Sequence, residues 1–493
     1  MSEPASGVTE TVAVSEAATA AAAVKRVKVR TLVVMCSALF LALLDSTVIT
    51  LALPTIGNDF GVGLTGLQWI IGGYILTYAS LLLAGGALGD RYGRHRVFIA
   101  GMGVFVAGSL LCALSDTTTQ LIAGRAVQGI GAAAITPQTL AILAQTFPEP
   151  AERARAFGVW SGVSGLALVL GPLLGGNLVQ VFGWQSVFLL NIPVCAVAMA
   201  LASRLPAESG DASRRPVSPR SLLLTVSWLG CLTYALVEGN TIGWASSLVA
   251  GLLSVAAVSF ATQLLTELRS RRPTLQLTLF RSHAFTGAAS VTFLVAFGLN
   301  AVFLLLSLLL QRSAGLDPAA AGNRLLPTMG AIVVAAFLGG RVAGRFGSRI
   351  PVTCGTGLAG ASLLVLSTLV LGHGYSEWWP LFVTFGFGVG MVMSPNNAAL
   401  MASAPAESAG QASALNAVGQ QVGALLGIAA LGSLVGANST TGASTGPMAS
   451  DALAQGIQVG LLAAGVCYLL AAAVAVTLLR PAVPSPDRAR VVT

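Results

Sequence analysis

Charge is what this chain has least of. Only 9% of its 493 residues are Asp, Glu, Lys or Arg, against about 25% in soluble globular domains. With 55% hydrophobic residues and a mean hydropathy of +0.82, most of the chain belongs in lipid. Lysine is almost missing: Lys25 and Lys28 both precede the first long apolar run. No Gly-x-x-x-x-Gly-Lys-[Ser/Thr] loop exists, which excludes a Walker-type ATPase. Three histidines (His95, His283, His373) sit at the ends of apolar runs, and six cysteines are scattered without ligand spacing. Neither a metal site nor a redox centre is expected, and no cofactor. The net charge of +8 invites a nucleic-acid reading, but the basic residues line the ends of apolar runs. That placement is membrane topology.

What is there is a series of apolar runs, each near the 20 residues a bilayer core requires. They start near 31, 67, 97, 120, 155 and 186. Two more cover about 221–238 and 246–266, and a last six start near 283, 321, 352, 379, 411 and 454. The expectation is an all-α integral membrane protein of fourteen helices, arranged as six, two and six. The segments are a tail at 1–30, a six-helix bundle at 31–204, linkers with two extra helices at 205–282, a second bundle at 283–480, and a tail at 481–493. Residues 1–24 lack the basic-then-apolar order of a cleaved signal, so the first run is expected to be a retained anchor. With both termini inside, 23 of the 26 Lys and Arg fall in cytoplasmic segments. This bias predicts a multi-pass protein of the inner membrane with cytoplasmic termini.

The chain repeats itself. GALGDRYGRHR, Gly86 to Arg96, recurs more faintly as GRVAGRFGSRI, Gly340 to Ile350, at an offset of 254 residues. Two bundles of common descent imply a site between them and alternating access to it. Two charges lie deep in the runs: Asp45 in LDSTVITLALP and Arg125 in LIAGRAVQGIGAA. A charge at the bilayer centre costs about 3 kcal/mol or more, so each needs a partner or a water-filled cavity. Two plainer readings are a carboxyl merely satisfied within the bundle and an arginine that snorkels to the interface. Gly171, Pro172, Gly175 and Gly176 in GPLLGG should kink the fifth helix and let neighbours slide close. Trp69, Tyr74 and Tyr78 could stack on an aromatic cargo, although packing or an interfacial belt explains any one of them as well. Asn300, Asn397 and Gln420 supply amides at depth, and Asn300 lies 255 residues after Asp45. Apart from Asp45 no acid lies deep in a run, so a neutral or weakly charged, apolar cargo is expected.

These segments resemble the fourteen-helix drug:proton antiporters of the major facilitator superfamily. Gly86, Leu88, Asp90, Arg91, Gly93 and Arg94 match the loop signature G-x-L-a-D-r-x-G-r-[KR], with His95 where Lys or Arg is usual. The Asp45 segment is similar to the family's first helix, with Thr50 in place of Asn. The Arg125 segment matches the fourth helix at every defined position, and GPLLGG the antiporter helix. GWQSVFLLNIP (Gly183 to Pro193), SPNNAALM and the Gly410–Ala429 run extend the likeness, with Gln420 where Arg is frequent. The resemblance implies a monomeric exporter of drugs or antibiotics, driven by protons and not an enzyme. It further implies Asp45 and Arg125 as the coupling pair and Gly86, Asp90, Arg91, Gly93 and Arg94 as a gate. A nutrient symporter and a non-transporting membrane receptor are the alternatives.

Overall fold

The computed structural model describes residues 6–205, 218–270, 277–371, 373–405, 409–439 and 447–479. The described residues are helical throughout, with no strand among them. The first bundle comprises α1 (Ser6–Phe60), α2 (Leu64–Tyr92), α3 (Arg94–Ala113), α4 (Thr118–Thr146), α5 (Pro150–Phe182) and the pair α6 (Gln185–Leu189) and α7 (Asn191–Ala202). Two helices follow, α8 (Pro219–Ile242) and α9 (Ser247–Arg269). The second bundle holds α10 (His283–Leu308), continued by a π turn at Leu309–Ser313, then α11 (Pro318–Phe346), α12 (Arg349–Leu369), α13 (Tyr375–Ala402), α14 (Ala409–Ser439) and α15 (Pro447–Leu478). Most of the linker at 205–220, with Glu208, Asp211, Arg214 and Arg215, lies outside the described residues, as do Arg271, Arg272, Glu407 and the tail from 480.

Thirteen segments are long and apolar enough to cross a bilayer, counting α6 and α7 as one. The fourteenth expected span, α13, is a continuous helix of 28 residues, about 42 Å at 1.5 Å per residue. Pro380, Pro395 and the cluster Ser394–Asn397 dilute its apolarity. One amide group is served from within the protein: Asn396 Nδ2 donates to Ala288 O at 3.0 Å and to Thr292 Oγ1 at 2.9 Å. The sixth span is not one helix. Pro193 has no N–H to offer Leu189 O four residues back, and the helix breaks at Leu190. The fifth is one continuous helix through Pro172, and its glycines make close approaches. Gly171 sits against Thr47 and Gly175 against Val48, which brings α5 onto α1.

The two copies of the basic loop fold alike. Gly93 ends α2 at φ 98° and Gly347 ends α11 at φ 81°, a region side chains avoid. The bundles meet at one end of the molecule. Gln68 Nε2 on α2 donates to Ile428 O at 2.9 Å and Ala429 O at 3.0 Å on α14. Ser307 Oγ donates to Thr50 O at 2.8 Å, and Gln311 Nε2 to Leu51 O at 3.1 Å. Gly176 lies on the Pro318 carbonyl, and Gly322 on that of Pro172. All of these lie toward the ends of α1, α5, α10 and α14 and the starts of α2 and α11, the face the charge bias places outside.

Candidate functional site

The two deep charges find each other. Arg125 Nη1 donates to Asp45 Oδ2 at 2.5 Å, with both side chains fully shielded from solvent. Asp45 Oδ1 accepts from Asn191 Nδ2 at 2.9 Å and from Gln128 Nε2 at 3.3 Å. Gln128 Oε1 accepts from Arg125 Nη1 at 2.9 Å, and Ser109 Oγ accepts from Gln128 Nε2 at 2.8 Å and Asn191 Nδ2 at 3.3 Å. Arg125 Nε donates to Ile70 O at 3.3 Å. The guanidinium lies 4.4 Å from the Tyr74 ring centroid and 5.9 Å from that of Phe188, within cation–π reach. Arg125 therefore does not snorkel, and Asp45 faces a cationic partner instead of open water.

Local structure explains the convergence. Gln128 lies three residues beyond Arg125 and shares its helix face. Asn191, the first residue of α7, is buried and brings its amide to Asp45 and Ser109. Five of the first bundle's six spans thus supply a group, and α5 packs behind α1. A buried ion pair is balanced by the desolvation of both ions, but losing one partner costs about 3–5 kcal/mol.

Two atoms of the site are left over, Tyr74 OH and one guanidinium nitrogen. Arg125 Nη2 has no hydrogen-bond partner. Arg125 borders a cavity of about 10 Å³ with Ser46, Thr50, Tyr74, Ile428 and Asn300, space for about one water molecule. Asn300 thus stands across the bundle boundary from the pair, as its offset from Asp45 suggested.

The other expected site residues separate. Tyr74 is at the pair, while Tyr78 OH donates to Thr136 Oγ1 at 3.1 Å between α2 and α4. Trp69 does not face the centre: Nε1 donates to Glu238 Oε1 at 2.9 Å, and its ring lies 5.7 Å from Tyr234 on α8. Asn397 accepts from Asn416 Nδ2 at 3.1 Å, and both Asn397 and Gln420 are exposed, apart from the Asp45 cluster. In the loop, Asp90 accepts from Arg94 at 2.8 Å, an i,i+4 pair, and Arg91 lies over Tyr92. Gly86 packs near Pro137 of α4. Glu267 belongs to the helix rather than the linker: α9 runs on to Arg269, and this side chain, third from the helix end, is 7% exposed. Sequence reasoning also passed over Gln128, Asn191 and Ser109. The signal was available, since each is a polar group deep in an apolar run. No group of three or more His, Cys, Asp or Glu is placed to hold a metal among the described residues.

The sequence profile of the Major Facilitator Superfamily matches residues 35–428. The chain is 37% identical over 433 residues to the methylenomycin A resistance protein of Streptomyces coelicolor, covering 87% of this chain and 88% of that one. It is 35% identical over 409 residues to the tetracenomycin C resistance and export protein of Streptomyces glaucescens, covering 82% and 75%. In fold it is similar to a bacterial homologue of the human lysosomal transporter Spinster. The TM-score is 0.67 at 18% identity, with 93% and 99% of the two chains covered.

Proposed function

The chain belongs to the Major Facilitator Superfamily, and on that premise we propose that it is a multi-pass membrane transporter exporting antibiotic-like small molecules in exchange for protons. The observation that carries the coupling is the buried Asp45–Arg125 pair. The names of the relatives, resistance and export proteins, favour export over nutrient uptake and over a receptor role. No cofactor is required, because the proton gradient does the work.

Helix α1 links the pair to the gate. Asp45 accepts Arg125, and the carbonyls of Thr50 and Leu51, five and six residues on, accept the bonds that hold the bundles together. That separation is about 8–9 Å along one rigid helix. Protonating Asp45 removes the charge that Arg125 holds, and the guanidinium must find another acceptor. Groups on α1, α3, α4 and α7 then rearrange, and the shift reaches Thr50 and Leu51. The ionised pair accompanies closure of the Gln68–Ile428 face. In an exporter this is the state that accepts cargo from the cytoplasm after the proton has left. Proton uptake from the opposite side opens the closed face and releases the cargo. Asn300 and Tyr74, beside the unpartnered Arg125 Nη2, are the cargo contacts nearest the coupling pair. Gly86, Asp90, Arg91, Gly93 and Arg94 form the gate on the other face, and Asp90→Asn is expected to slow export without loss of protein from the membrane.

Asp45→Asn reconstituted in vesicles is expected to lose uphill export driven by a pH gradient while retaining downhill exchange. Wild-type accumulation by this variant would remove Asp45 from the coupling role. Orientation is tested in a cysteine-free background, where a cysteine at position 116 should be labelled from outside and one at 212 only from inside.

A further inference from the structure

A second cavity lies away from the charge pair, where α8 and α9 lean on the seam between the bundles. It has a volume of about 150 Å³ and is bounded by α2, α8, α9 and α14. That is about the size of an apolar cavity known to bind benzene. Ala79, Leu83 and Ala84 of α2, Val418 and Val422 of α14, and the rings of Trp228 and Phe260 make its walls apolar. Its outer side is α9, where Phe260 is 51% and Leu264 39% exposed. A molecule dissolved in the bilayer reaches the cavity without crossing water.

The polar groups of the wall are accounted for, with one exception. Trp228 Nε1 donates to Gln263 Oε1 at 2.8 Å, and Gln263 Nε2 donates to Thr225 Oγ1 at 2.7 Å. Ser221 Oγ donates to Glu267 Oε1 at 3.4 Å. Ser80, on α2, is 7% exposed and its hydroxyl has no partner. Serines within helices ordinarily return their hydroxyl to a backbone carbonyl one turn back, as Ser46 and Thr77 do here. An apolar pocket with a single convergent polar group is the usual form of a small-molecule site.

We propose that this cavity is a lateral binding site for a neutral, ring-sized apolar molecule bearing one hydrogen-bonding group, which enters from the bilayer and is held by Ser80. The proposal rests on the export reading for its biological sense and gives the two inserted helices a task. They enclose a vestibule on the α2–α14 seam, whose opposite end is closed by Gln68.

The test is photolabelling of the full-length protein in lipid nanodiscs. The probes are a trifluoromethyl-diazirinyl benzyl alcohol and its hydroxyl-free toluene analogue, at equal membrane concentration, with adducts mapped by mass spectrometry. The alcohol is expected to label the lining segments of α2, α8 and α9 about fivefold more than the analogue, as one net hydrogen bond dictates. Ser80→Ala should remove that preference and leave labelling by the analogue unchanged. Its melting temperature should be equal or higher, since no bond is lost. Ala84→Phe should suppress both probes by filling the space. Equal labelling of wild type by both probes, a preference that survives Ser80→Ala, or adducts confined to other segments would each overturn the proposal. Labelling needs no transport, so a protein that labels as expected but exports nothing refutes the export reading alone. A protein that exports but does not label refutes only the lateral site.

Discussion

The two bundles share a scaffold and differ in what fills it. In the first, Gly131 of α4 packs on the Gly101 carbonyl of α3, and Gly129 on that of Tyr74. In the second, Gly388 of α13 packs on the Gly355 carbonyl of α12, and Gly386 on that of Thr328. The offsets are 257 residues for α4 to α13 and 254 for the partners. Carried along the helices, they set Phe382 where Arg125 stands, Phe385 where Gln128 stands, and Leu363 where Ser109 stands. Around Phe385 the second bundle assembles rings, with Tyr468 at 5.6 Å and Phe303 at 6.5 Å. One half holds an ionic network and the other an aromatic cluster on the same glycine contacts. The duplication preserved packing, and divergence placed the titratable group in one half only. Under the proposed coupling, the first half alone needs to sense the proton and the second need only follow as a rigid body.

Breaking the network tests this most severely. Arg125→Leu leaves Asp45 buried without its cation and is expected to lower stability by about 3–5 kcal/mol and to abolish export. Asp45→Asn combined with Arg125→Gln removes both charges, so thermal unfolding should recover most of the loss while pH-driven export stays absent. A double variant as unstable as Arg125→Leu would mean that the shape of the site matters more than its charges. The counterpart in the second bundle is Phe385→Ala, expected to cost about 3 kcal/mol through the cavity it leaves. Export should slow, but its dependence on the pH gradient should keep the wild-type form. A changed proton dependence would show that the aromatic half shares in coupling.

How much of this was legible follows from contrast. Asp45 and Arg125 stood out because charges are rare in apolar runs, and their meeting could be suspected but not measured. Gln128, Asn191 and Ser109 carried the weaker signal of polar groups deep in apolar runs and were passed over because amides and hydroxyls are common in membrane helices. Gln128 alone carries a further mark, its three-residue spacing from Arg125 on one helix face. Trp69 was left open between two readings, since an aromatic near a helix end looks the same whether it lines a cavity or packs on a neighbour. Here the neighbour was an inserted helix whose docking no local pattern encodes. Glu267 was set in a linker because the hydropathy run ended at 266, while hydrogen bonding carries the helix on to Arg269.

The smallest expected effect separates scaffold from gate. Gly93 and Gly347 occupy equivalent positions at positive φ, so alanine at either should cost about 1–3 kcal/mol in backbone strain. Matched falls in melting temperature for Gly93→Ala and Gly347→Ala would identify the shared backbone requirement. Export should distinguish them. Asp90 and Arg94 flank the first turn and pair at 2.8 Å, whereas Gly344 and Ser348 hold the corresponding places in the second copy. Strain at Gly93 displaces an ion pair, and strain at Gly347 displaces none at those positions. Initial rates of export, normalised to folded protein, should therefore fall further for Gly93→Ala. Equal falls would place the gating function in the turn itself, common to both halves. The difference between the copies would then lie in the Asp45 network alone.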